Sequence, residues 1–324
     1  MFILFIGLIS CNEISEVSQQ SSTGGVNEIL VVTNNVQQWD GEIGDSIRNN
    51  FGRIMEVLPI PERQFKIANI NESSLQKKIF KKHHNIFIID IDPNIKDAFV
   101  ESRKNLWAKP QVVIKISAPN IHEFLISFEE LRENAFDLFI ENERQRIEDS
   151  YSKKFKDQKI NRKLNSFLHM QMAIPKGFSV SKIDSTKAWI RRETAANSMN
   201  ILIYTKSYSS TDDFNPNEII KRRNSLTRTY IPGPTTGSYQ LVSDEYIQPV
   251  FKELSFNEMF AVETRGLWRV ENDFMGGPFI SYTFVDEARK RLVTIDGFTY
   301  APKQNKAVLV RELEAILWSV SVLP

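Results

Sequence analysis

One cysteine, at position 11, is the only thiol among 324 residues. A lone thiol excludes an intrachain disulfide. The chain after it holds none, so structural Cys-zinc clusters and a cysteine nucleophile are excluded there as well. Histidine is scarce too: there are four, and no HExxH spacing, which removes the commonest zinc-hydrolase pattern. No GxSxG elbow offers a serine nucleophile, and no GxxxxGKS/T loop offers a phosphate cradle. Charge of one sign is not in excess. The formal net charge is +1, so no polyelectrolyte partner is implied. Long apolar runs are missing: Met1 to Ile9 (MFILFIGLI) is the greasiest stretch at the N-terminus, and it falls far short of the roughly 20 residues that span a bilayer.

The residues at the end of that run are more telling. Leu8-Ile9-Ser10-Cys11 resembles a bacterial lipobox, with branched apolar residues, a small residue, and the cysteine that becomes the acylated N-terminus. The expected order is a lipoprotein signal over residues 1–11, a flexible tether over 12–27, then the folded body. Asn12 to Asn27 is rich in Ser, Gln, Thr and Gly without apolar periodicity. Such a stretch buries too little surface to offset its ordering entropy. One acyl chain binds membranes only marginally, so Cys11 is expected to carry more than one. No Lys or Arg precedes Arg48, a departure from the usual basic start of a signal peptide.

The body alternates strand and helix patterns in its first half. Glu28 to Thr33 and Asn85 to Ile91 are short apolar runs suited to strands buried on both faces. Gln111 to Ser117 is a third strand signal, and Gln64 to Ile70 alternates. Ile43, Ile47, Phe51, Ile54 and Leu58 recur at helical spacing, with Pro59 and Pro61 as stops. Pro119-Asn120 open a long helix whose thin apolar seam continues through Ile147, Tyr151 and Phe155. Arg144 to Lys163 holds eight basic and three acidic residues, the composition of a solvated helix face or of a surface resting on anionic lipid or glycan. The second half reads as grouped strands (178–183, 188–193, 200–208, 246–251, 259–270, 278–285, 292–300) with helices near 216–230 and from 306. Grouping of this kind argues α+β. The expected architecture is two sheet-containing domains covered by helices, an α/β unit over 28–168 and an α+β unit over 169–324, with the long charged helix between them.

Two carboxylates are candidates for chemistry. Asp90 and Asp92 stand at the C-terminal end of an apolar strand, where open α/β sheets place ligands, and an i, i+2 pair suits a hard cation. The plainer reading is a strand ending in a turn before Pro93-Asn94. His83-His84 are adjacent, so on a strand they would point to opposite faces. Thr235-Thr236-Gly237-Ser238 reads as a connection. No cofactor is expected.

Several segments together resemble domain-of-unknown-function family 4837, lipoproteins of Bacteroidetes-type bacteria: the lipobox Cys11, VLPIPE (Val57–Glu62), NIFIIDID (Asn85–Asp92), WAKPQ (Trp107–Gln111), ENERQR (Glu141–Arg146), IPKGF (Ile174–Phe178), GFTYAP (Gly297–Pro302) and RELEAIL (Arg311–Leu317). The resemblance implies an exported, lipid-anchored protein and supplies no catalytic residues. The strand order of the second half is loosely similar to PsbP-like sandwiches. The expected function is a non-enzymatic binding or assembly module of the cell envelope, at the outer membrane and facing the periplasm. It would meet the membrane through Cys11 and an envelope protein or glycan through its body, but not nucleic acid. The alternative is a metal-dependent hydrolase using Asp90 and Asp92.

Overall fold

The computed structural model describes residues 20–323. Cys11 and the signal and lipobox expectations lie outside them. The first unit runs β1 (Glu28–Thr33), α1 (Val36–Asp40), α2 (Glu42–Phe51), β2 (Lys66–Asn71), α3 (Glu72–Leu75), α4 (Lys78–Lys81), β3 (Asn85–Ile91), β4 (Phe99–Lys104), β5 (Val112–Ala118) and α5 (Ile121–Ser150). Its five strands lie in the order β2-β1-β3-β5-β4, parallel except for the edge strand β4. The apolar runs of β1, β3 and β5 fill the centre, where both faces are covered. On one face Phe51 meets Phe87, Phe128 and Phe139 edge-on at 5.3–5.6 Å between centroids, joining α2, the sheet and α5.

A π-helical turn (Tyr151–Phe155) then breaks the helix. The second unit comprises α6 (Gln158–Leu168), β6 (Met170–Gln171), β7 (Ser179–Ile183), β8 (Lys187–Glu193), β9 (Ser198–Ser207), α7 (Pro216–Tyr230), β10 (Gln240–Ser243), β11 (Val250–Phe256), β12 (Met259–Val270), β13 (Gly276–Asp286), β14 (Arg291–Tyr300), α8 (Lys306–Trp318) and β15 (Ser321–Val322). Its eight-stranded antiparallel sheet runs β10-β12-β13-β14-β9-β8-β7, with β11 paired to the other half of the same edge of β12. One face packs on α8 and α6 through Ile201, Ile203, Ile280, Phe284 and Ile295. The other packs residues such as Trp189, Trp268 and Phe298, with α7 partners Ile220 and Leu226. The fold is mixed α+β. Among the described residues no helix is long and apolar enough to cross a membrane.

Three expectations differ. The helix read from Ile43 to Leu58 stops at Phe51, because Gly52 caps it with its N–H on Arg48 and Asn50 carbonyls. That frees Met55 and Leu58 to insert into the core of the second unit. The long helix is two: Ile160, Leu164 and Leu168 of α6 pack in the second core, so the units divide at the π turn rather than after residue 168. The stretch expected to remain a tether to residue 27 is held from residue 20 by main-chain bonds. Thr23 N–H donates to the Lys82 carbonyl (2.9 Å), His84 N–H to the Thr23 carbonyl (3.0 Å), and Lys109 N–H to the Gln20 carbonyl (3.0 Å). Backbone pairing supplies what its composition lacks.

Candidate functional site

Asp90 and Asp92 each have a partner of their own. Asp90 pairs with Lys115 on β5 at 2.7 Å and accepts from the Ser117 hydroxyl at 3.0 Å. Asp92 accepts from the Asn94 main-chain N–H (2.9 Å) and side-chain amide (2.7 Å), a turn of the kind Asp forms before Pro. Asn34, just past the end of β1, bridges the end of β3 and α3: its side chain accepts from the Ile91 N–H at 3.1 Å and donates to Glu72 at 3.3 Å. Among the described residues no group of three or more His, Cys, Asp or Glu is placed to hold a metal.

The two histidines do not point apart. They precede β3 rather than belong to it, and their rings stack at 4.6 Å. His84 is fully buried, with Nε2 2.7 Å from Glu143 Oε2 and Nδ1 2.8 Å from the Thr23 carbonyl. Burial pushes the Glu143 carboxyl up, but His84 and then Arg146 override it and hold the group down at about 2. Burial, reinforced by His84, takes His83 down to about 4. The cluster fastens the N-terminal strap, β3 and α5 together.

A large concavity lies elsewhere, between the units: a cleft of about 1100 Å³. Its floor is a network of charge. Glu314 on α8 is approached by Arg311 (2.5 Å), Arg265 of β12 (3.4 Å) and Arg144 of α5 (3.5 Å). Arg265 also holds Glu263 at 2.7 Å. The Tyr282 hydroxyl donates to Glu263 (2.8 Å) and accepts from the Trp318 indole N–H (2.9 Å). The Arg144 guanidinium lies 3.9 Å over the Trp318 ring. Arg311 reaches back to Asn27 (3.1 Å) and Gln64 (2.8 Å) of the first unit. Burial opposes charge on Glu314, yet the three arginines hold its carboxyl below the usual range. Burial and then Glu263 push the Tyr282 phenol well above its ordinary value. Glu314 is thereby held ionised and Tyr282 held protonated, each titrating further from pH 7 than an ordinary side chain of its kind, the reverse of what a proton-transfer pair at pH 7 needs. The floor is built to be rigid.

One wall is α5, with Asp137, Glu141, Gln145 and Glu148. The other is β11, with Lys252 and Leu254. Burial, with Asp149 alongside, pushes the Glu148 carboxyl up. The sequence marked Glu141 and Gln145 only as part of ENERQR, not as a wall of a site. The signal available was Arg311, Glu312 and Glu314 among the apolar residues of α8, a place where buried charge is retained only when paired.

Residues 156–319 match the family described as Domain of unknown function (DUF4837). The chain belongs to the DUF4837 family. In this DUF4837 protein, residues 22–152 match a second family, Domain of unknown function (DUF8532). The two matches meet at the π turn that divides the units. Among curated proteins no relative matches the chain. Similar solved structures include a mutant of the protein Mog1 (10% identity, 48% of this chain, 91% of that one, TM-score 0.31). Another is the Saccharomyces cerevisiae Ran-binding protein Mog1p (9%, 48%, 90%, 0.32). A third is LpqN of Mycobacterium tuberculosis, described as involved in cell envelope biogenesis (9%, 48%, 83%, 0.29). Likeness at these scores carries no argument about what the DUF4837 protein does.

Proposed function

We propose that this DUF4837 protein is a non-enzymatic binding or assembly module of the cell envelope. Cys11 anchors it by lipid at the outer membrane, facing the periplasm, and the cleft between its two units is its binding site. The observation that carries the reading is the cleft itself: about 1100 Å³ between a rigid, internally paired floor and two walls of mixed polar and apolar side chains. Concave sites between structural units with a few fixed polar groups are where ligands bind. The anchoring part rests on the Leu8-Ile9-Ser10-Cys11 pattern.

Two measurements test it. Cys11→Ala releases the protein from the membrane fraction; retention of the variant in high salt removes the anchor. A photoreactive phenylalanine at Leu254, inside the cleft, cross-links a partner in intact cells, whereas the same group at the exposed Ile79, outside the cleft lining, does not. Equal or absent cross-linking at both positions removes the cleft as the binding site.

A further inference from the structure

Strand β11 pairs with β12 and with no other strand among the described residues. It is therefore an edge, and its seven residues, Val250–Phe256, offer a row of unpaired main-chain N–H and C=O groups. Cross-strand register shows which way its face points. Lys252 stands opposite Glu263, and Leu254 opposite Ala261. Residues directly opposite share a face of the sheet, so Lys252 and Leu254 lie on the face that carries the Glu263 floor of the cleft. A strand added outside β11 continues that face into the cleft, towards α5.

The α5 wall that such a strand would meet is acidic. Asp137, Glu141 and Glu148 line the cleft. Among the described residues no ion pair reaches Asp137 or Glu148, and Glu141 has only Lys104 at 3.8 Å. One spacing agrees. Side chains on one face of an extended peptide recur about every 6.6 Å, and Asp137 to Glu141 is an axial step of about 6 Å along a helix. Glu148 lies about 10 Å further along α5, within reach of a long basic side chain elsewhere on the same peptide. The cleft volume also exceeds what a compact small molecule needs.

We infer that the cleft binds an extended basic peptide segment, which adds as a strand to the free edge of β11, sets alternate Lys or Arg side chains against Asp137 and Glu141 of α5, and reaches Glu148 with a further basic side chain. Main-chain bonds to β11 supply affinity and the acidic row supplies choice of partner, as in other cases of strand addition. This rests on the cleft being the binding site.

The test uses the purified full chain and a fluorescent seven-residue probe of alternating lysine and valine. Saturable binding is expected that weakens with salt. Asp137→Asn, Glu141→Gln and Glu148→Gln combined weaken it by about tenfold or more, from three partly exposed pairs, without lowering the melting temperature. A probe N-methylated at alternate residues, which cannot pair with a strand edge, fails to bind, and so does the glutamate-for-lysine counterpart. Equal binding of the N-methylated probe overturns strand addition. Equal binding of the acidic probe, or an unaffected triple variant, overturns the basic-peptide assignment. If no probe binds while the Leu254 cross-link in cells persists, the ligand class is wrong and the module reading stands. If the cross-link is also absent, both fall.

Discussion

At the scale of single residues, the sharpest consequences concern acid. His83 has its ordinary value of 6.5 lowered to about 4 by burial and then by His84. The unfolded chain therefore takes up a proton below pH 6.5 that the folded one refuses until about 4. Stability is full above 6.5 and falls as pH drops through that window, by about 3 kcal/mol in all. The charged and titratable groups facing His83 are Glu28 at 3.8 Å, the stacked His84, and Glu143. Glu143 acts in the adjoining window. Its ordinary 4.5 is lowered to about 2, so its contribution is present above 4.5 and is lost as pH falls towards 2. Urea midpoints between pH 7 and pH 3 should fall in two overlapping stages. His83→Gln should flatten the upper stage. Glu143→Gln should flatten the lower one, and at pH 7 it should cost about 3–5 kcal/mol, because it removes the buried anion that Arg146 pairs with and that faces His84 Nε2. A Glu143→Gln protein as stable as wild type at pH 7 would show that the pair is not a fastening.

At the scale of elements, α8 is completed from outside its own unit. Its N-cap residue, Asn305, makes no side-chain capping bond. Glu62 of the first unit fills the role, accepting from the main-chain N–H of Lys306 at 2.9 Å and of Ala307 at 2.8 Å. A carboxylate at a helix N-terminus satisfies orphan donors and complements the dipole. Glu62→Ala should therefore cost about 1–2 kcal/mol, whereas Glu56→Ala, exposed and nearby in sequence, should be close to neutral in urea melts. Equal effects would deny the cap. The same segment, VLPIPE, was legible in the sequence as two prolines ending a helix and as part of the family resemblance, not as a cap. Central strands were readable because continuous apolar runs mark burial on both faces: β1, β3 and β5 fall where those runs stand. Edge strand β4 was missed, since its FVESRK is exposed at nearly every position and carries no period. The break at Tyr151 was hidden because the apolar seam continues across it with helical spacing. The cleft was readable only as charge set in the apolar run of α8. Its floor joins Arg144, Glu263, Arg265, Arg311 and Glu314, residues brought together by a contact between units that no local pattern encodes.

At the scale of the whole molecule, the contact between units decides how the protein unfolds. Met55 and Leu58 of the first unit are buried in the core of the second. Arg311 of the second donates to Asn27 and Gln64 of the first, and Arg144 lies on Trp318. Separating the units would take Arg144 from Glu314 and Asn27 and Gln64 from Arg311, and would expose Met55 and Leu58. Opening those two apolar contacts alone costs about 3–6 kcal/mol, a large part of the stability of an ordinary domain. The units should therefore melt together although the chain crosses between them at a break in a helix. Tryptophans report on each: Trp39 and Trp107 in the first, Trp189, Trp268 and Trp318 in the second. With phenylalanine in place of one set or the other, urea transitions followed by fluorescence should coincide in midpoint and slope, as two-state unfolding requires. Glu314→Gln leaves three arginines facing a neutral amide, and it should lower both transitions together. Two midpoints separated by about 1 M urea or more, or a Glu314→Gln effect confined to the second set, would mean that the units are stable apart. The floor of the cleft would then be a surface where two independent bodies touch, and not the rigid base on which the binding reading depends.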